Sequence, residues 1–212
     1  MSATTTPPTS PPPDRRSAAE QGGYRWVYMW HWPIRAMHWL AAISLAVLVV
    51  TGFYIGRPYF APAPGETADL FVMGTMRFIH FAAAGVLVAT GIVRVYWLFA
   101  GNRYERLPAL FPLHRRDLRN LLLTIRKYLL MQGDAPPHYV GHNPLQQLAY
   151  TGFYLVILLQ VTTGFALYGL SNPDGFFYRT LGFESTYYLG GVPVVRFIHH
   201  VLTWVILIFV PV

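Results

Sequence analysis

Cysteine is absent from this chain of 212 residues. That excludes a disulfide framework, a thiolate-held iron–sulfur cluster and covalent c-type haem attachment within it. Acidic residues are scarce: there are nine Asp and Glu in all, and none falls inside a long apolar run. Membrane transporters commonly carry carboxylates at mid-membrane, so this scarcity counts against a metal transporter. Charge is low altogether, at 12% against 54% hydrophobic residues, well under an ordinary soluble domain. The polar helix faces that a soluble enzyme needs are missing. A net charge of +7 would point to nucleic acid in a soluble protein. Here its distribution concerns membrane orientation, and no nucleic-acid partner is expected.

What the chain has instead is four apolar runs of about 18 residues or more, the length of a transmembrane helix. They predict an all-α integral membrane protein, a four-helix bundle with spans at about 34–55, 70–99, 144–168 and 194–212. Residues 1–23 are rich in Pro, Ser, Thr and Ala and cannot bury enough surface to fold, so a disordered tail is expected there. The membrane domain then covers 24–212. It opens on Tyr24, Trp26, Tyr28, Trp30, His31 and Trp32, an aromatic belt of the kind found at the membrane boundary. Pro33 is placed to start the first helix.

One small pattern recurs at the start of three runs. It reads Arg35-Ala36-Met37-His38, Arg77-Phe78-Ile79-His80 and Arg196-Phe197-Ile198-His199, the last followed by His200. Arg and His three apart share a helix face, one turn from each other. Ionisable residues inside membrane helices are usually retained for a function. Two facing imidazoles can hold a haem iron from both sides, and an Arg one turn away can reach the haem carboxylates. A single such pair would read as snorkelling to the headgroups. Three pairs favour a cage for b-type haem, with His38, His80 and His199 as iron ligands and Arg35, Arg77 and Arg196 beside them.

Positive charge collects in the tail (Arg15, Arg16, Arg25) and between the second and third spans (Arg103, Arg106, Arg115, Arg116, Arg119, Arg126, Lys127). Positive loops stay in the cytoplasm, so the N-terminus is expected inside. Within the second loop, Leu118, Leu121, Leu122, Ile125 and Leu129 recur at helical spacing with the cations largely off that stripe. This predicts a helix lying on the inner membrane surface, in competition with a partner-docking helix. The alternating directions of the spans put His80 and His199 near the outer face, where they can share one haem, and His38 near the inner face. A partner for His38 on the last span would lie about 21 Å beyond His199, at position 213. A histidine there, with a basic tail after it, is the expectation. Thr51-Gly52-Phe53 and Thr163-Gly164-Phe165 recur near the outer ends of the first and third spans, where helix packing accounts for them.

Several ordered motifs carry a resemblance. Trp32-Pro33-Ile34-Arg35-Ala36-Met37-His38-Trp39, Met73-Gly74-Thr75-Met76-Arg77-Phe78-Ile79-His80-Phe81 and Tyr139-Val140-Gly141-His142-Asn143-Pro144-Leu145 look like the b-type cytochrome subunit of membrane-bound nickel–iron hydrogenases. So do Thr163-Gly164-Phe165-Ala166-Leu167-Tyr168-Gly169 and His199-His200. The resemblance implies a multi-pass dihaem cytochrome of the bacterial inner membrane, joined to a periplasmic iron–sulfur small subunit and through it to the large subunit. It implies electrons passing from hydrogen oxidation through two haem b groups to quinone, in a subunit that holds no catalytic metal itself.

At the inner start of the third span, His142 and Asn143 offer polar donors for a quinone headgroup. Asn143-Pro144 equally suits an ordinary helix start. His31, His114 and His138 read as solvated, and His200 as a neighbour of the ligand. Two other functions compete: a His-lined transition-metal transporter, and a cofactor-free anchor, which would leave the Arg–His pairs without a purpose.

Overall fold

Pro33 and Pro193 stand in the first turns of the first and last spans, where a missing N–H costs no hydrogen bond. Between them the chain forms helices wherever apolar runs must satisfy their own backbone groups in lipid. The computed structural model describes residues 29–60, 71–111, 115–131, 141–182 and 187–210; the expected tail at 1–23 lies outside them. Among the described residues the regular elements are all helical: α1 (Trp32–Gly56), α2 (Val72–Ala100), the short α3 (Leu107–Leu110), α4 (Arg115–Leu129), α5 (Pro144–Gly169), a π-helical turn (Tyr178–Gly182) and α6 (Val192–Phe209). Four of them, α1, α2, α5 and α6, are long and apolar enough to cross a membrane. Their bounds differ from the expected spans by at most three residues, and the start at Pro144 not at all, since fraying and capping decide the last turn.

The surface is inverted relative to a soluble bundle. Only 6–17% of each span's most apolar window is buried, whereas Ser44, Thr51, Thr90 and Thr163 are buried. Thr51, Thr90 and Thr163 return their hydroxyl protons to carbonyls one turn back, at 2.7–2.8 Å, so small polar residues sit at helix contacts without unsatisfied groups. Such an apolar exterior would be untenable in water and is matched to lipid.

The spans pair as two antiparallel hairpins, α1 with α2 and α5 with α6. Helix backbones approach closely within each hairpin and hardly at all between them. The hairpins meet instead through side chains: Phe53 on Trp204 at 5.2 Å, Phe81 on Tyr168 at 4.8 Å, and His200 over Gly56. α4 forms as expected and packs on α5, but its buried positions are the polar Asn120 and Thr124. Of the apolar stripe, Leu118 and Leu122 stay exposed while Leu121 and Ile125 are half-buried.

Candidate functional site

Each hairpin carries the same device at the same level. On the first, the Thr51 hydroxyl of α1 lies 2.9 Å from His80 Nδ1 of α2. On the second, the Thr163 hydroxyl of α5 lies 2.9 Å from His199 Nδ1 of α6. The next residue in each case is glycine, and a Cβ at Gly52 or Gly164 would come within 3.3 Å of the His80 or His199 ring. These glycines leave room for the imidazoles beside the facing helix. His80 is close enough to His199 to interact with it electrostatically. The Thr-Gly-Phe tripeptides, read from sequence as plain packing, thus bind the two histidines. Their recurrence was the available signal.

The hydrogen bonds also assign the tautomer. Each threonine hydroxyl has one proton, directed at Val47 O (2.7 Å) and Leu159 O (2.8 Å) respectively. With that proton on the carbonyl, the oxygen accepts from imidazole, with hydrogen on Nδ1 and a lone pair on Nε2; the Leu48 and Gln160 carbonyls are further acceptors in reach of the His80 and His199 rings. At His199 that lone pair faces the Gln160 amide nitrogen at 3.2 Å, a group that also donates to Thr203 Oγ1 at 3.1 Å. The Gln160 carbonyl oxygen is buried and has no partner among the described residues. Neutral imidazole with Nδ1 bound is the form in which histidine ligates a metal through Nε2, and at His199 the Gln160 amide would give up that nitrogen to the metal. Among the described residues no cluster of three or more His, Cys, Asp or Glu could hold a bare metal ion. The arrangement fits a planar cofactor gripped from two sides, with glycine clearances beside both rings. Arg77 and Arg196 sit one turn from these histidines, exposed, with no side-chain hydrogen bond or ion pair among the described residues.

The opposite end of the bundle holds the other candidates. His38 is exposed and touches Trp39 edge-on at 5.7 Å, and Arg35 is exposed as well. Thirteen residues separate His38 from Thr51, about 20 Å along α1, so the structure does not bring His38 to the other two histidines. His31, expected to be solvated, instead closes on Glu105. Its backbone N–H donates to Oε1 at 2.6 Å and its ring Nδ1 lies 3.2 Å from both carboxylate oxygens. Trp97 Nε1 and the Asn102 N–H donate to the same carboxylate at 3.0 and 3.2 Å. Burial pushes the Glu105 carboxyl up, but these N–H donors outweigh it and hold the group below its ordinary value. Sequence spacing gave no sign of this contact, which joins residues 74 apart.

His142 lies beside Trp30 at 6.2 Å and Tyr150 at 4.9 Å. Burial, with a further contribution from the Arg94 charge, keeps its ring below the ordinary 6.5 and hence neutral near pH 7. It lines a cavity of about 470 Å³ together with Arg103, Tyr104, Asp117 and Gln147. Gln147 donates to Ala109 O at 3.2 Å, while its own carbonyl oxygen is buried without a partner among the described residues. Asn143 caps α5: its side chain accepts from the Gln146 N–H at 2.9 Å and Gln146 reciprocates at 3.0 Å. His114 and His138 lie outside the described residues.

Four helices long and apolar enough to span a membrane, paired as two hairpins, define an integral membrane helical bundle. Residues 29–212 match the family described as prokaryotic cytochrome b561, and the chain belongs to that family. Curated relatives agree. The chain is 39% identical over 187 residues to the probable Ni/Fe-hydrogenase B-type cytochrome subunit of Bradyrhizobium diazoefficiens, covering 87% of this chain and 74% of the relative. It is 40% identical over 188 residues to the like-named protein of Azotobacter vinelandii, covering 87% and 77%. It is also 40% identical over 142 residues to the probable Ni/Fe-hydrogenase 1 B-type cytochrome subunit of Escherichia coli K12, covering 66% and 60%. The protein is therefore a multi-pass membrane cytochrome for electron transfer, with haem b as the implied cofactor.

Proposed function

We propose that this chain is the membrane subunit that carries electrons from a periplasmic nickel–iron hydrogenase to quinone. The carrying observation is the pair of imidazoles on facing hairpins, His80 and His199, each held by a threonine at Nδ1. In this reading they ligate one haem near the periplasmic face, within reach of an iron–sulfur small subunit. His38 serves a second haem near the cytoplasmic face. Haem b supplies reversible one-electron iron chemistry when bound. The chain fixes the positions of its iron ligands, excludes water with its apolar helices, and bridges the two faces of the inner membrane. The arginine-rich end, with α4 lying along the lipid, supports a cytoplasmic N-terminus. Membranes lacking this chain should lose hydrogen-dependent reduction of endogenous quinone while hydrogen oxidation with a soluble dye continues. Retained quinone reduction would defeat the reading.

Arg77 and Arg196, one turn from the proposed ligands, would hold the carboxylates of a haem bound there. Replacing either by Ala should lower the midpoint potential of that haem, because a nearby positive charge favours the reduced form. A redox titration showing unchanged potentials in both variants would assign the arginines to lipid headgroups instead.

The cavity at His142 and Gln147 suits a quinone headgroup. A neutral imidazole and an unpaired amide oxygen can meet the carbonyl and hydroxyl of the oxidised and reduced ring. Gln147→Leu should raise the KM for quinone by roughly tenfold, the loss expected when a buried polar contact is deleted, with haem spectra unchanged. If nothing polar binds there, the same change removes an unsatisfied buried atom. It would then leave the KM alone.

A further inference from the structure

We infer that Thr51 and Thr163 are matched positioning residues that set the electron donation of the two imidazoles; the inference rests on the proposed ligand role of His80 and His199. The geometry is repeated on two hairpins that share no backbone: 2.9 Å from each threonine oxygen to the facing Nδ1, each hydroxyl proton already committed to the carbonyl one turn back. An oxygen that has given its proton to a carbonyl is a better acceptor, since hydrogen bonds in a chain polarise one another. Imidazole that donates Nδ1–H to such an acceptor gains negative character at Nε2 and becomes a more basic ligand. Basic ligands favour ferric over ferrous iron. Both threonines are buried, so water does not replace the hydroxyl if it is removed, and each ring is left with its backbone carbonyl neighbour, Leu48 or Gln160, as the weaker remaining acceptor. The adjacent Gly52 and Gly164 let each ring come close enough for the bond, since a Cβ there would press on its Cε1 atom.

The test uses the intact complex purified from membranes, with redox titration and low-temperature electron paramagnetic resonance as readouts. Thr→Val keeps the side-chain volume and deletes the hydroxyl; Thr→Ser keeps the hydroxyl. Thr51→Val and Thr163→Val should each weaken the preference for ferric iron by about tenfold, within the range over which outer ligands tune a metal. For a one-electron couple that is a rise of about 59 mV in the midpoint potential of the same haem. The double variant should shift about twice as far, and both Ser variants should titrate like the unsubstituted protein. A Val variant that folds but loads no haem, beside a loaded Ser variant, supports the same conclusion, because the two differ chiefly in the hydroxyl. Val variants with unchanged potential and spectrum overturn it, as do Ser variants that shift as far as Val. Parallel His80→Ala and His199→Ala variants separate the two layers of the argument. If they keep this haem, the ligand reading itself has failed; if they lose it, the threonine comparison decides alone.

Discussion

His80→Ala and His199→Ala are each expected to abolish one and the same haem component in the visible spectrum, while His38→Ala leaves that component intact. The two rings come from different hairpins with the same Nδ1 partner type, so on the proposed ligation either loss would remove one of the two histidines that hold the iron. His38 lies about 20 Å away along α1 and cannot substitute. The effect is near complete loss rather than a graded one, since neither hairpin offers a second histidine in the same geometry. His200 is the nearest rival, but its Nδ1 is 3.0 Å from the Arg196 carbonyl and its ring lies over Gly56. A His38→Ala spectrum missing the same component as His80→Ala would refute the assignment of levels.

Glu105→Ala should be the most destabilising single change outside the spans. The side chain is 1% exposed and gathers donors from His31, Trp97 and Asn102. Removing it strands three or more N–H groups at about 1–3 kcal/mol each, so a loss of about 3 kcal/mol or more is expected. Acid should act in the same direction. The folded carboxyl titrates below its ordinary 4.5, so its contribution is fully present above that value and is lost as pH falls through the lower folded value. Thermal melts in detergent between neutral pH and about pH 3 should show this step in the unsubstituted protein and not in Glu105→Gln. Identical acid profiles for the two proteins would rule Glu105 out as the titrating group. The α1 start would detach first, since His31 is what the carboxylate holds.

The spans were readable from sequence because an apolar run in lipid has one way to satisfy its backbone. Pro33, Asn143 and Pro144 mark helix starts by local chemistry alone, and Arg-x-x-His is a one-turn spacing that any helix preserves. The pairing of Thr51 with His80 and of Thr163 with His199 could not be read, because it depends on how two helices meet. The repeated Thr-Gly-Phe was visible, but its partner was not. His31 looked like a solvated boundary residue for the same reason: Glu105, which captures it, is brought near only when α1 and α2 fold back on each other. The polar buried face of α4 ran against its leucine stripe, since lipid competes with protein for the apolar side.

The division into two hairpins has a consequence for biogenesis. The first hairpin is complete in sequence by Ala100, yet the histidine facing His80 lies in α6, the last span described. On the proposed ligation, a ribosome-bound chain shows the membrane only half of an iron-binding grip until α6 has been made. Capture of haem at this level is then necessarily late, after the second hairpin has inserted and closed against the first. Nascent chains arrested before α6 should accumulate in the membrane as colourless, protease-sensitive first halves.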